Sequence, residues 1–179
     1  MEFLIICHPR SGSSYAAALL TKNGFDVGHE KMKVNGLASW FWASKDENPP
    51  FSASPYDPSF DPDLTIHIVR EPLSCIASVA YTESTTELYR SEFIEITGEN
   101  ILDRAASSIV NWNSLCKQMN PDYTIKTESL SSELSNILGK DLHDIPPQNT
   151  RPHPILQERL LASSDNYWKC MKDWNGALG

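Results

Sequence analysis

The chain has no C-x-x-C pair. Its four cysteines, Cys7, Cys75, Cys116 and Cys170, stand far apart, which removes both a zinc site of the usual spacing and a disulfide framework. They read as free, buried thiols of a reducing compartment. No apolar run approaches the length of a membrane-spanning helix, and Met1-Glu2 runs straight into an apolar stretch without a secretory leader. The expectation is a cytoplasmic protein with no membrane span. Positive charge is also scarce: 15 Lys and Arg face 23 Asp and Glu, a formal charge of −8. A nucleic-acid backbone is therefore excluded as a partner, and any anion site must come from local convergence of basic groups. Internal repeats are missing. The 179 residues suit one domain, 1–179, with a proper core.

Two common phosphate loops are missing as well. The pattern G-x-x-x-x-G-K-[ST], aligned on Gly12, needs Gly at position 7 and Lys at 13, where the chain has Cys7 and Ser13. A phosphatase cysteine loop needs Arg six residues after Cys7, and that residue is again Ser13. What the chain does have is Cys7-His8-Pro9-Arg10-Ser11-Gly12-Ser13-Ser14-Tyr15, set between apolar Phe3-Leu4-Ile5-Ile6 and Ala16-Ala17-Ala18-Leu19-Leu20. The first flank reads as a buried parallel strand. The second is built of strong helix formers and stops at Asn23-Gly24. A strand, a tight polar loop and a helix N-terminus aim backbone N–H groups and the positive helix end at one spot, which suits a phosphate. Arg10 adds a permanent charge there, and Ser11, Ser13 and Ser14 add hydroxyls. A plain strand-to-helix turn with a solvent-facing Arg uses the same residues.

Further along, Phe25-Asp26-Val27 reads as a second strand ending at Gly28-His29-Glu30, and Leu37 to Ala43 as a short buried helix. Residues 45–63 form a proline-rich surface loop, a lid or substrate wall or a mere connection. Leu64-Thr65-Ile66-His67-Ile68-Val69 is the clearest strand. Arg70-Glu71-Pro72 then starts a helix with the apolar stripe Leu73, Ile76, Ala80. Asn100 with Asp103 caps a long helix through Met119, Asp122 to Lys126 is a last strand, and Leu130 to Leu138 a helix stopped by Gly139. A second proline-rich loop spans 143–154, and Tyr167 to Trp174 reads as a terminal helix. Alternating strands and helices predict an α/β chain: a central parallel sheet with helices on both faces, a three-layer α/β/α arrangement with ligands beyond the carboxyl ends of the strands.

Pro9-Arg10-Ser11-Gly12-Ser13-Ser14-Tyr15 resembles the 5′-phosphosulfate-binding loop of the sulfotransferases that use 3′-phosphoadenosine 5′-phosphosulfate (PAPS). Val69-Arg70-Glu71-Pro72-Leu73-Ser74-Cys75-Ile76-Ala77-Ser78 resembles the family's 3′-phosphate motif, an Arg closing a strand and a Ser eight residues later on the next helix. Arg suits a phosphate because its fork donates two parallel hydrogen bonds. The resemblance implies a P-loop sulfotransferase fold, PAPS as co-substrate, 3′-phosphoadenosine 5′-phosphate (PAP) as product, and no metal. It implies that Pro9, Arg10, Ser11, Gly12, Ser13 and Ser14 hold the 5′ end, Arg70 and Ser78 the 3′-phosphate, and that Tyr15 stacks on adenine. Thr127-Glu128-Ser129-Leu130 resembles the family's Tyr-Glu-Asp-Leu run with Thr127 replacing the Tyr. The family's C-terminal Arg-Lys-Gly loop is missing, and Arg151 is the nearest substitute.

Sulfonate transfer needs a base for the acceptor's proton. Members of the family use a His or a Glu; in the tyrosine-type enzymes the Glu ends a Gly-Glu-Glu run roughly twenty residues after the basic residue of the loop. Here Glu30 lies twenty residues after Arg10 and ends Gly28-His29-Glu30, so Glu30 is the candidate base and His29 its competitor. A His–Glu pair in a polar turn is the other reading. His67 reads as a satisfied core histidine; His8 has no matching role in the family. Trp40, Trp42, Phe51 and Tyr56 are candidates for an aromatic acceptor pocket or for core packing. The resemblance implies an acceptor hydroxyl or amine on a small molecule, glycan or protein. Two rivals stay open: a small-molecule kinase using ATP, and a nucleotide-binding relative without turnover.

Overall fold

The structure is a computed structural model; it describes residues 1–50, 54–148 and 152–179, so Phe51 and Arg151 lie outside the described residues. Five strands, β1 (Phe3–Cys7), β2 (Gly28–His29), β3 (Gly36–Ala38), β4 (Leu64–Val69) and β5 (Tyr123–Lys126), form one all-parallel sheet in the order β2-β3-β1-β4-β5. The described helices are α1 (Ser13–Lys22), α2 (Pro72–Thr82), α3 (Ser84–Ser91), α4 (Ile101–Gln118), α5 (Leu130–Leu138) and α6 (Asp165–Asn175). Strand β1 lies at the centre and is buried along its whole length, which is why five consecutive apolar or thiol side chains belong there.

Successive strand residues face opposite sides of the sheet. Phe3 meets the Phe25 ring just beyond α1, with centroids 5.2 Å apart. His67 pairs in register with Ile6 and so points to the other face, where Nε2 lies 3.2 Å from Asn113 Oδ1 on α4. Helices α1 and α4 therefore cover opposite faces, as the alternating pattern predicts. Helices α2 and α6 pack on α4, and α5 packs beside β5. Among the described residues no helix is long and apolar enough to cross a membrane. All four cysteines are free and buried.

Local signals act as read at several places. Pro72 opens α2, and the Glu71 side chain accepts from Leu73 N and Ser74 N as its cap. Asn100 caps α4 by accepting from Leu102 N and Asp103 N at 3.0 Å each. Gly139 ends α5 with φ 60°. The described parts of 45–63 and 143–154 carry neither strand nor helix.

Three expectations are corrected. The second strand is Gly28–His29, not Phe25 to Val27. The stretch read as one buried helix splits into β3 and a 3₁₀ turn, Phe41–Ser44. Gly36 is the reason: its φ is 102°, and a Cβ there would lie 2.0 Å from the Phe3 carbonyl oxygen, so glycine admits the chain beside β1. Helix α3 was not foreseen, because it is mostly polar and starts directly behind α2. His67 is only half satisfied: its Nδ1 has no partner among the described residues, and burial lowers its pKa to about 4.

Candidate active site

Beyond the carboxyl ends of β1, β4 and β5 lies a cleft of about 620 Å³. Pro9, Arg10, Gly12, Ser13, Ser14 and Tyr15 line it from the loop and α1, His29 and Glu30 from the end of β2, and Arg70 and Ser78 from the end of β4 and from α2. Segments about sixty residues apart thus meet in one place, because β1 and β4 are sheet neighbours. Ser11 is the exception. It is buried, and its hydroxyl lies 3.6 Å from Cys75 Sγ behind the loop.

The loop's shape comes from two left-handed residues, Arg10 at φ 71° and Gly12 at φ 108°. Gly12 is the N-cap of α1 and has no side chain to cover the first-turn N–H groups, whereas α2, α4 and α6 are capped by Glu71, Asn100 and Ser164. The positive end of α1 is thereby left to the cleft. Thr127, which also lines the cleft, braces the loop from β5: its hydroxyl donates to Ser11 O at 2.5 Å and Val69 O at 3.1 Å. A Cβ on Gly12 would sit 2.9 Å from Thr127 Cγ2.

At one end of the cleft, Arg10 Nε donates to Ser78 Oγ at 3.0 Å and lies 3.7 Å from Glu83 Oε1. Arg70 Nη1 donates to the Arg10 carbonyl at 3.0 Å. Arg10, Arg70 and Ser78 are therefore one cluster, in which the loop after β1 and the Arg70–Ser78 segment, expected as two separate phosphate subsites, touch each other. Glu83, at the junction of α2 and α3, was not singled out by the sequence; an isolated acid after a helix carries no motif.

The other end is built around Glu30. Among the described residues, four non-glycines have a left-handed backbone, and two of them, Arg10 and Glu30 (φ 53°), line this cleft. Such conformations cost of order 1–3 kcal/mol and gather at functional sites. Ser39 Oγ donates to Glu30 Oε2 at 2.5 Å, and Trp40 N to Oε1 at 3.4 Å. These donors favour the carboxylate, yet burial outweighs them and pushes the pKa up to about 7. His29 Nε2 lies 3.6 Å from Glu30 Oε1 and 3.1 Å from Ser13 Oγ, bridging the base candidate to the loop. Burial lowers the His29 pKa, which keeps its ring neutral at pH 7.

Tyr15 OH donates to Asp144 Oδ1 at 2.6 Å, and Asn23 Oδ1 accepts from His143 N at 2.8 Å. These bonds fasten the second proline-rich loop to α1, so that Asp144, Ile145, Pro147, Gln148 and His153 also border the cleft. Of the aromatic acceptor-pocket candidates, Trp40 lines the cleft. Trp42 is core, its ring 5.3 Å from Tyr56. His8 is fully buried and does not line the cleft.

No family model, curated protein or solved structure matches the chain.

Proposed function

We propose that the chain is a PAPS-dependent sulfotransferase of the P-loop type, moving a sulfonate group to a hydroxyl or amine acceptor and releasing PAP. What supports the reading is that both segments resembling the family's phosphate motifs line one cleft with a buried carboxylate whose pKa is near 7. A base poised near the working pH is the most effective one.

In this reading the acceptor oxygen attacks sulfur in line with the bond to the 5′-phosphate. A new S–O bond forms, the old one breaks, its electron pair stays on the phosphate of PAP, and the acceptor's proton passes to Glu30. The positive N-terminal end of α1 and the Ser13 and Ser14 hydroxyls stabilise the charge that gathers on the leaving phosphate. Arg10, reaching from the loop to Ser78, serves both phosphates, and Arg70 holds Arg10 and the 3′-phosphate. His29 orients Glu30 or the acceptor.

The test is incubation with radiolabelled PAPS and a panel of alcohols, phenols and amines. Label should pass to at least one acceptor class with the wild-type chain and not with Arg70→Ala at low PAPS. Transfer of γ-phosphate from ATP with magnesium, and none from PAPS, contradicts the proposal and makes the chain a kinase.

A further inference from the structure

Behind the phosphate-facing end lies a polar network that the proposed chemistry does not use. Arg90 on α3 is 1 % exposed, a burial that a guanidinium tolerates only with partners. Two chains of hydrogen bonds leave it. Along the first, Arg90 Nη1 donates to Thr86 Oγ1, whose hydroxyl donates to Glu83 Oε2 at 3.2 Å. Along the second, Arg90 Nε donates to Ser108 Oγ at 2.9 Å. Burial and the Arg90 charge hold His8 well below its usual range, so its ring is neutral. Its Nδ1–H therefore donates to the Pro9 carbonyl at 2.7 Å, and its Nε2 accepts from Ser108 at 3.0 Å. One buried cation is thus wired to the residue before Arg10 and to the carboxylate opposite Arg10.

Burial lowers the Arg90 pKa to about 10, with Glu83 and Glu87 opposing the shift, so the group stays charged at neutral pH. Glu83 accordingly stands between two guanidiniums, 3.7 Å from one and one hydroxyl away from the other. An anion arriving at Arg10 meets a carboxylate already there. Two like charges on one arginine repel strongly in a partly desolvated cleft.

Resting on the reading that this end takes a phosphate, we propose that Glu83 is a specificity-determining residue: it competes with the ligand's phosphate for Arg10 and leans onto Thr86 and Arg90 when the phosphate binds. Glu83 then sets how tightly the product is held. Thr86 and Arg90 are positioning residues, since they reach the ligand only through Glu83.

The experiment is calorimetric titration of PAP, AMP and pyrophosphate into the wild-type chain, Glu83→Gln, Thr86→Val and the exposed-site control Glu99→Gln, with unfolding temperatures measured beside it. Glu83→Gln should tighten PAP and pyrophosphate by about tenfold, because the competing charge is gone while Arg10 remains. Thr86→Val keeps both charges but removes Glu83's second anchor, and should weaken both ligands about threefold. Glu99→Gln should change neither. Weaker or unchanged binding in Glu83→Gln overturns the proposal, and if that variant fails to fold, unchanged or tighter binding in Thr86→Val does so. Tighter pyrophosphate binding without any preference of PAP over AMP keeps the competition at Arg10 and overturns the sulfotransferase reading instead.

Discussion

At one end of the cleft Glu30 is held by a serine hydroxyl and a backbone N–H, and its proton affinity rises until the group titrates near pH 7. At the other end Glu83 lies against the permanent charge of Arg10. Both carboxylates are largely withdrawn from water, and the nature of their neighbours decides what each can do. At Glu30 desolvation outweighs the Ser39 and Trp40 donors, and a proton affinity raised to near neutrality suits the base role proposed for it. A carboxylate against a guanidinium balances its charge, and in the proposal above it competes with the anions that guanidinium would receive. Among the described residues the arginines that line the cleft, Arg10 and Arg70, lie at the Glu83 end, and the proposed function gives the two ends different tasks.

The largest expected effect is at the base end. Glu30→Gln is nearly isosteric and touches no phosphate contact, so the fold and PAP affinity should persist while single-turnover transfer at saturating PAPS falls by about 10²–10⁴. In the wild-type chain the rate should rise with pH through about 7, as Glu30 loses its proton, and the variant should lack that limb. His29→Ala should cost less. A dead His29→Ala beside a near-normal Glu30→Gln reverses the two roles.

The phosphate end should respond differently. Arg70→Ala should weaken PAP at least tenfold, since a charge-assisted hydrogen bond is worth about 1.5–3 kcal/mol, yet leave turnover at saturating PAPS nearly intact. Arg10→Ala should lower both, because its guanidinium serves the phosphate that gains charge in transfer. Full rescue of Arg10→Ala by excess PAPS reduces Arg10 to a binding residue.

A separate effect is on stability. The folded-state pKa of Glu30 stands above its ordinary value of 4.5, so the folded chain holds this proton more tightly than the unfolded one. Stability should fall as pH rises from about 4.5 to about 7, by on the order of 3 kcal/mol. Glu30→Gln removes that cost, so its unfolding temperature should exceed the wild-type value at pH 8 and approach it at pH 5. Identical pH profiles for the two proteins contradict the buried, raised carboxylate.

The same contrast shows what a sequence reader can see. The loop after β1 and the Arg70–Ser78 segment were legible because each joins a short apolar strand to a helix start with fixed polar residues between them. Their meeting in one cleft followed from the parallel order. Strand β3 was not legible: it is three residues long, and Leu37 onward is apolar enough to pass for a helix until Gly36 is seen against Phe3. Helix α3 hides because its polar surface masks the burial of Tyr89 and Arg90. Glu83, Thr86 and Arg90 follow one another at helical spacing along α3, but that spacing carries no motif, and the approach of Glu83 to Arg10 exists only in the fold. The turn at Glu30 was placed by its offset from Arg10, but its withdrawal from water was visible only in the fold.

The most direct test of the central claim is competition between PAP and AMP for the wild-type chain, read by calorimetry at one ionic strength. PAP should bind at least tenfold more tightly, because the Arg10, Arg70 and Ser78 cluster has a second phosphate to hold. Equal affinity for the two nucleotides contradicts the assignment of that cluster, and with it the sulfotransferase reading.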